Sequence, residues 1–129
     1  MAMVVWIILG HIHTGKKSAV GAATGAVAGL VAITPAAGFV GPMGSIAVGL
    51  GAGVLTFYAV RIRHKFGFDD ALEVAAVHGV GGAWGALATG IFAADGKGLV
   101  DGDAEALVTN VIAVLATIAY SLVVTFVIL

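Results

Sequence analysis

Long apolar stretches alternate with short polar ones along this chain of 129 residues. Four of the apolar stretches predict membrane-spanning helices, since about 20 residues of α-helix cross a hydrocarbon core of ~30 Å. Proline marks two boundaries, because helix is disfavoured just before Pro35 and Pro42 suits a first helical turn. The predicted elements are a stub at residues 2–12, which looks like the end of a further span, and spans at residues 18–33, 42–62, 70–94 and 105–129.

Composition agrees with this pattern. Hydrophobic residues make up 60% of the chain and charged residues only 10%, and the mean hydropathy is +1.12. These values lie outside the range of soluble proteins. The chain has no cysteine, which excludes disulfides, zinc thiolates and thiol nucleophiles. We therefore expect an all-α, polytopic membrane helix bundle.

The charged residues predict the orientation of the bundle. Five of the six basic residues fall in the two loops on one side of the predicted spans, and acidic residues dominate the other side. Basic loops mark the cytoplasmic side. Residues 13–17 and 61–69 are therefore predicted inside, and residues 34–41 and 95–103 outside. The basic residues concerned are Lys16, Lys17, Arg61, Arg63 and Lys65.

One histidine lies well inside a predicted span. His78 follows Asp70 by eight residues, or ~12 Å along an α-helix, which places it near the bilayer midplane. An ionisable group at that depth usually faces a cavity or a substrate path, and histidine exchanges protons near neutral pH. The alternative is an imidazole that hydrogen-bonds between helices. Asp70, with Glu73 three residues later, resembles a capping box at the start of this helix.

Small and polar residues recur at helical spacing in the predicted spans. Glycines four apart allow close backbone approach between helices in lipid, and they occur at 21, 25 and 29, at 49 and 53, and at 81 and 85. In the last span, Asn110, Thr117, Ser121 and Thr125 share roughly one face, which favours hydrogen bonding between helices. We interpret Trp6, Trp84 and Tyr120 as packing or interface aromatics. His11 and His13 lack a third ligand for a metal.

Two stretches resemble signatures of the ammonium transporter (Amt) family. They are residues 32–40, Ala-Ile-Thr-Pro-Ala-Ala-Gly-Phe-Val, and residues 69–82, which begin Asp-Asp-Ala-Leu and end Val-His-Gly-Val-Gly-Gly. The glycine-rich residues 21–29 and residues 86–92 are also similar to the family. The resemblance covers nearly the whole chain. It aligns the chain with the C-terminal part of the family, from the end of the seventh helix through the eleventh.

The resemblance implies the second-repeat portion of the ammonium transporter fold, within a homotrimer whose subunits conduct ammonium-derived nitrogen through a narrow hydrophobic pore. His78 matches a pore histidine, and Val74 matches a pore-facing position one turn earlier. Thr34 matches a threonine near the external recruitment site. Asp70 matches the acidic residue at the start of the His78 helix. The other pore residues of the family belong to helices not present here, so we expect residues 1–129 to be a partial transporter domain.

The sequence also departs from the family pattern. The family usually has a smaller acidic residue where Glu73 stands, and bulkier residues or glycine where Ala75 and Ala76 stand. These differences change packing near the inner vestibule of the implied pore.

Other functions are compatible with the same residues. One alternative is a non-transporting assembly subunit of the membrane, and another is a channel for a different small neutral solute. A membrane enzyme with His78 as base would lack a nucleophile, a metal cluster or an acidic partner at that depth. We therefore expect a non-enzymatic transport protein of the plasma membrane, with ammonium or ammonia as substrate and the lipid bilayer around it. No cofactor, metal or nucleic acid is expected.

The segregation of basic residues makes the orientation testable. Single cysteines placed at Lys16 and Lys65 should react with a membrane-impermeant thiol reagent only from the cytoplasmic side, and a cysteine at Gly98 only from outside. Labelling of the Lys65 and Gly98 positions from the same side would contradict the four-span arrangement.

Overall fold

The protein is a bundle of helices. The computed structural model describes all residues except 68–69 and 71–72. Within the described part, the only extended pairing is a single bridge between Val40 and Ala93, so the prediction of an all-α bundle is confirmed. The elements in chain order are α1 (Ala2–Thr14), α2 (Ala19–Ile33), α3 (Pro42–Phe66), a π-helical segment (Ala75–Val80), α4 (Gly81–Phe92), a 3-10 turn (Leu99–Asp101) and α5 (Glu105–Ile128).

Three helical stretches in the described ranges are long and apolar enough to cross a membrane. They are Pro42–Phe66, Ala75–Phe92 and Glu105–Ile128. The helix α2 has 15 residues, which at 1.5 Å per residue rise ~22 Å and fall short of a ~30 Å hydrocarbon core. The predicted crossing by residues 18–33 therefore stays a prediction.

The helix α3 is longer than expected. It ends at Phe66, where Gly67 takes a left-handed conformation with φ 69° and donates its N–H to the carbonyl of His64. Glycine adopts this conformation without steric cost. The basic side chains of its last turn also suit the negative end of the helix dipole. The helix therefore continues four residues beyond the predicted span, which ends at residue 62, and the bounds of the span itself stay a prediction.

The helix predicted over residues 70–94 is shorter in the structure. Residues 71–72 lie outside the described part, and Glu73 has φ 56°, which no helix contains. Helical structure then begins at Val74 and ends at Phe92. His78 thus lies four residues into the helical stretch. Its axial distance from the start is ~6 Å, in place of the ~12 Å counted from Asp70.

The helix α1 packs into a seam of glycines on α2 and α3. A Cβ added at Gly25 would stand 2.6 Å from the Cβ of Trp6, and one added at Gly53 would stand 2.7 Å from the Cβ of Val5. Real side chains do not approach so closely, so only glycine permits this packing. We call this contact surface the glycine seam; it comprises Gly25, Gly29, Gly49 and Gly53.

Two tryptophans complete the core. Trp6 is buried, and its Nε1 donates to the Thr56 hydroxyl at 3.1 Å, which itself donates to the carbonyl of Ala52 at 2.7 Å. The Nε1 of Trp84 donates to the carbonyl of Val48 at 2.9 Å. Buried polar groups are costly without such partners. Of the two interpretations, packing or interface aromatics, these internal contacts support packing for both residues.

The first turns of α5 pack against α4, and the rest of α5 is largely exposed. A Cβ at Gly90 would stand 2.5 Å from the Cα of Leu107, and the side-chain amide of Asn110 donates to the carbonyl of Ala86 at 2.8 Å. The predicted interhelical hydrogen bond is therefore present at Asn110.

The rest of the predicted polar face of α5 behaves differently. The Thr117 hydroxyl donates to Ala113 of its own helix at 2.8 Å, because a threonine hydroxyl readily reaches the carbonyl four residues earlier. The described part of the chain shows no interhelical bond at Thr117, and that expectation stays a prediction. Ser121 and Thr125 are exposed, as is Tyr120 at 71%, so α5 presents most of its surface outward.

The glycine seam predicts a sharp difference between two identical substitutions. Gly25→Ala should destabilise the bundle by about 1–3 kcal/mol, since its new methyl overlaps Trp6. Gly10→Ala is the matched control, because nothing lies within 4 Å of the added Cβ. Thermal unfolding of the two variants in the same detergent measures the difference. Equal midpoints would contradict a close-packed seam.

Candidate functional site

An open groove runs along the outer face of the bundle between α2 and the start of the His78 helix. It has a volume of about 470 Å³. Only two of its side chains are polar, and the remainder are aliphatic, proline or glycine. The groove, called the His78 groove below, is lined by Val27, Leu30, Val31, Thr34, Pro35, His78 and Gly82.

The π-helical segment directs His78 into this groove. Its neighbours Ala76 and Val77 are buried in the core, 4% and 2% exposed, so this side of the segment faces inward. His78 itself is exposed. No described residue hydrogen-bonds to its imidazole. The alternative in which His78 bonds between helices therefore finds no partner in the described part of the chain.

Thr34 reaches the same groove from the C-terminal end of α2. Its hydroxyl donates to the carbonyl of Leu30 at 2.7 Å. A hydroxyl has one donor and two acceptor lone pairs. With the proton engaged by its own helix, the oxygen of Thr34 offers acceptor capacity on its exposed side.

Glycines set the spacing around His78. A Cβ at Gly81 would stand 3.3 Å from the Thr56 side chain, and a Cβ at Gly85 would collide with the carbonyl oxygen of Ala32. These two glycines bring α4 against α2 and α3. Nothing lies within 4 Å of a Cβ at Gly79, so the space beside the imidazole is open.

The other two predicted site residues lie beside the groove. Val74 is 50% exposed but does not line the groove with His78 and Thr34. Asp70 caps the helical stretch with both carboxylate oxygens: Oδ1 accepts from the N–H of Val74 and Oδ2 from that of Ala75, each at 2.8 Å. Asp70 is thus a capping residue, as expected.

The capping box itself is not formed. The carboxylate of Glu73 does not return to Asp70; its Oε1 accepts from Nη2 of Arg63 at 2.6 Å. Sequence reasoning missed this pair because it treated Arg63 only as one of the basic residues that orient the bundle. The available signal was a charge of opposite sign ten residues away, which by itself does not predict a contact.

Comparison with known proteins identifies the family. The sequence profile of the Ammonium Transporter Family matches residues 1–129, the entire chain. The chain belongs to the ammonium transporter family. The ammonium transporter of Bacillus subtilis is 46% identical over 131 residues, covering 96% of this chain and 32% of the relative. Ammonium transporter Amt1 of Archaeoglobus fulgidus is 45% identical over 127 residues, covering 95% and 32% respectively.

Solved structures of the family have the same fold. The crystal structure of Mep2 from Saccharomyces cerevisiae superposes with a TM-score of 0.93 at 31% identity, over 99% of this chain and 32% of that one. Mep2 of Candida albicans gives a TM-score of 0.93 at 35% identity, over 99% and 30%. The chain therefore has the fold of an integral membrane protein of this family. It spans about a third of the length of these relatives.

The hydrogen bonds of Asp70 lead to a prediction that separates its role as a helix cap from any role of its charge. Asp70→Asn keeps one acceptor oxygen where the structure uses two, so it should cost about 1 kcal/mol through the lost capping bond. In a chimera in which this chain replaces the matching segment of the B. subtilis transporter, the variant should fold with a slightly lower melting temperature and retain most uptake. Abolished uptake with unchanged melting would show that the charge of Asp70 acts in transport itself.

Proposed function

We propose that this chain supplies one wall of a pore that conducts ammonium-derived nitrogen across the plasma membrane, within a homotrimeric transporter. One observation carries the proposal: in a chain of the ammonium transporter family, His78 and Thr34 meet in a single, otherwise apolar groove. They stand 44 positions apart in the sequence. The names of the relatives, which are transporters and not enzymes, support the same class of function.

The apolar lining of the groove favours neutral ammonia over the intact ammonium ion. Removing a whole charge from water into apolar surroundings is expensive, whereas a small neutral amine loses far less hydration free energy. The imidazole of His78 can accept or donate one hydrogen bond to such a molecule, and it can relay a proton. A single unbonded imidazole among aliphatic side chains fits that task.

Thr34 is proposed to act earlier along the path. The positive-inside rule places the end of α2 on the outer side, since Lys16 and Lys17 precede the helix. The Thr34 oxygen, with its own proton committed to Leu30, can accept a hydrogen bond from an incoming ammonium ion. Val74 is proposed to contact the path one turn inward of His78, outside the groove described above.

The groove is open on one side, so this chain forms a wall and not a closed conduit. Since the relatives are about three times longer, their further helices are proposed to close the pore. The exposed apolar surface of α5 is proposed to meet those helices, lipid or other subunits.

The decisive experiment replaces His78 in the chimera with the B. subtilis transporter. His78→Ala should change methylammonium or ammonium uptake, or the ratio between them, by about tenfold or more. Trimer yield should remain near that of the parent, because no described residue depends on the imidazole. His11→Ala is the matched control: this exposed histidine lies at the end of α1, outside the groove, and its loss should leave uptake unchanged.

Two results would count against the proposal. Normal uptake and selectivity with impaired trimer assembly would make His78 a packing residue of an assembly subunit. Specific, saturable ammonium uptake by the 129-residue chain alone in liposomes would contradict the role of a single pore wall.

A further inference from the structure

A cluster of charges ties the end of α3 to the start of the His78 helix. Oε1 of Glu73 lies 2.6 Å from Nη2 of Arg63 and 3.1 Å from Nε2 of His64. The side chains of Arg63 and Glu73 are only 13% and 18% exposed, while His64 is 62% exposed. None of the three lines the His78 groove. The proposed transport function assigns no role to these three residues.

The backbone at Glu73 adopts a conformation that its side chain disfavours. Its φ of 56° lies in the left-handed region, which residues other than glycine rarely occupy unless their surroundings hold them there. Hydrogen bonds of both its backbone and its side chain hold Glu73 in this conformation. Its N–H donates to the carbonyl of Asp70 at 3.0 Å, and its carboxylate is held by Arg63.

Glu73 is also where the hydrogen bonding of the next segment starts. Its carbonyl accepts from the N–H of Val77 at 2.8 Å, and the π-helical segment follows at once over Ala75–Val80. π-helical turns are rare and occur frequently at functional sites. A return of these residues to α-helical bonding would rotate His78 relative to the buried side chains of Ala76 and Val77.

We infer that Glu73 is a positioning residue: its ion pair with Arg63 fixes the start of the π-helical segment and so directs His78 into the groove. The charge is needed because a neutral side chain of the same size attracts the guanidinium far less. The consequence for transport rests on the function proposed above, whereas the consequence for the segment does not.

The structural part of the inference can be tested on the 129-residue chain in lipid nanodiscs. Glu73→Gln keeps the side-chain volume and removes the charge. Amide hydrogen exchange across residues 75–80 should then become about tenfold faster, while exchange in the rest of α4 stays unchanged. Glu105→Gln is the matched control, since this exposed glutamate begins α5 and makes no described ion pair. Unchanged exchange at residues 75–80 in Glu73→Gln would overturn the inference.

A double substitution separates the pair from its members. If Arg63 and Glu73 act as one unit, Arg63→Gln combined with Glu73→Gln should accelerate exchange no more than the more severe single variant. Additive acceleration would overturn the pairing. If Glu73→Gln fails to assemble, Glu73→Asp is the second variant, since it keeps the charge on a side chain one methylene shorter. Its amide exchange should lie between that of the parent and that of a variant without the charge. Exchange equal to the parent's would contradict the requirement that the carboxylate extend as far as Arg63.

Transport in the B. subtilis chimera then tests the consequence for His78. Glu73→Gln should lower uptake about tenfold and change the ammonium to methylammonium ratio, with trimer yield unaffected, and Glu105→Gln should do neither. A parallel fall of uptake and trimer yield at a constant ratio would make Glu73 merely structural and overturn the inference. If His78→Ala has no effect in the same chimera, the proposed function fails, but the exchange experiment still decides the role of Glu73.

Discussion

Close contact between helix backbones is the constraint on which this structure depends. In lipid there is no hydrophobic driving force between helices, so their association relies on van der Waals contact and hydrogen bonding. The glycine seam lets α1 lie within contact of two helices at once, and Gly85 brings α4 against the carbonyl of Ala32. In the seam the glycines make room for side chains of α1 such as Trp6, whereas at Gly85 the backbones themselves meet. The groove that holds His78 exists because α2 and α4 are fixed in this way.

Much of the helical architecture could be predicted from the sequence, because apolar length and small-residue spacing are local properties. The glycine repeats predicted close packing, and for Trp6 and Trp84 the structure supports packing over the interface role that the sequence left open. The π-helical segment could not be predicted in the same way. A run of apolar residues carries no local signal for a π-helical turn, which is rare in helices generally. The feature to which we attribute the change, the backbone of Glu73 with its contact to Arg63, is not indicated by sequence spacing.

The candidate site was predictable only in part. The position of His78 among apolar residues singled it out, although the depth counted from Asp70 assumed a continuous helix that does not form. His78 and Thr34, 44 positions apart in the sequence, line the same groove because α2 packs against α4. The sequence pointed to Thr34 only through its resemblance to a family. Val74 is a further residue to which only the resemblance pointed; it does not line the groove, and its place on the path stays a proposal.

The two faces of the His78 helix have opposite physical requirements. Toward the core, Ala76, Val77 and Gly81 are buried. Toward the groove, Gly79 and Gly82 leave space around an imidazole that no described residue engages. The role proposed for His78, hydrogen bonding to a passing solute, requires an imidazole that its neighbours do not hold. The orientation of the His78 side chain must therefore be set by the backbone of its own helix. The packed face of that helix and the ion pair at Glu73 both constrain this backbone.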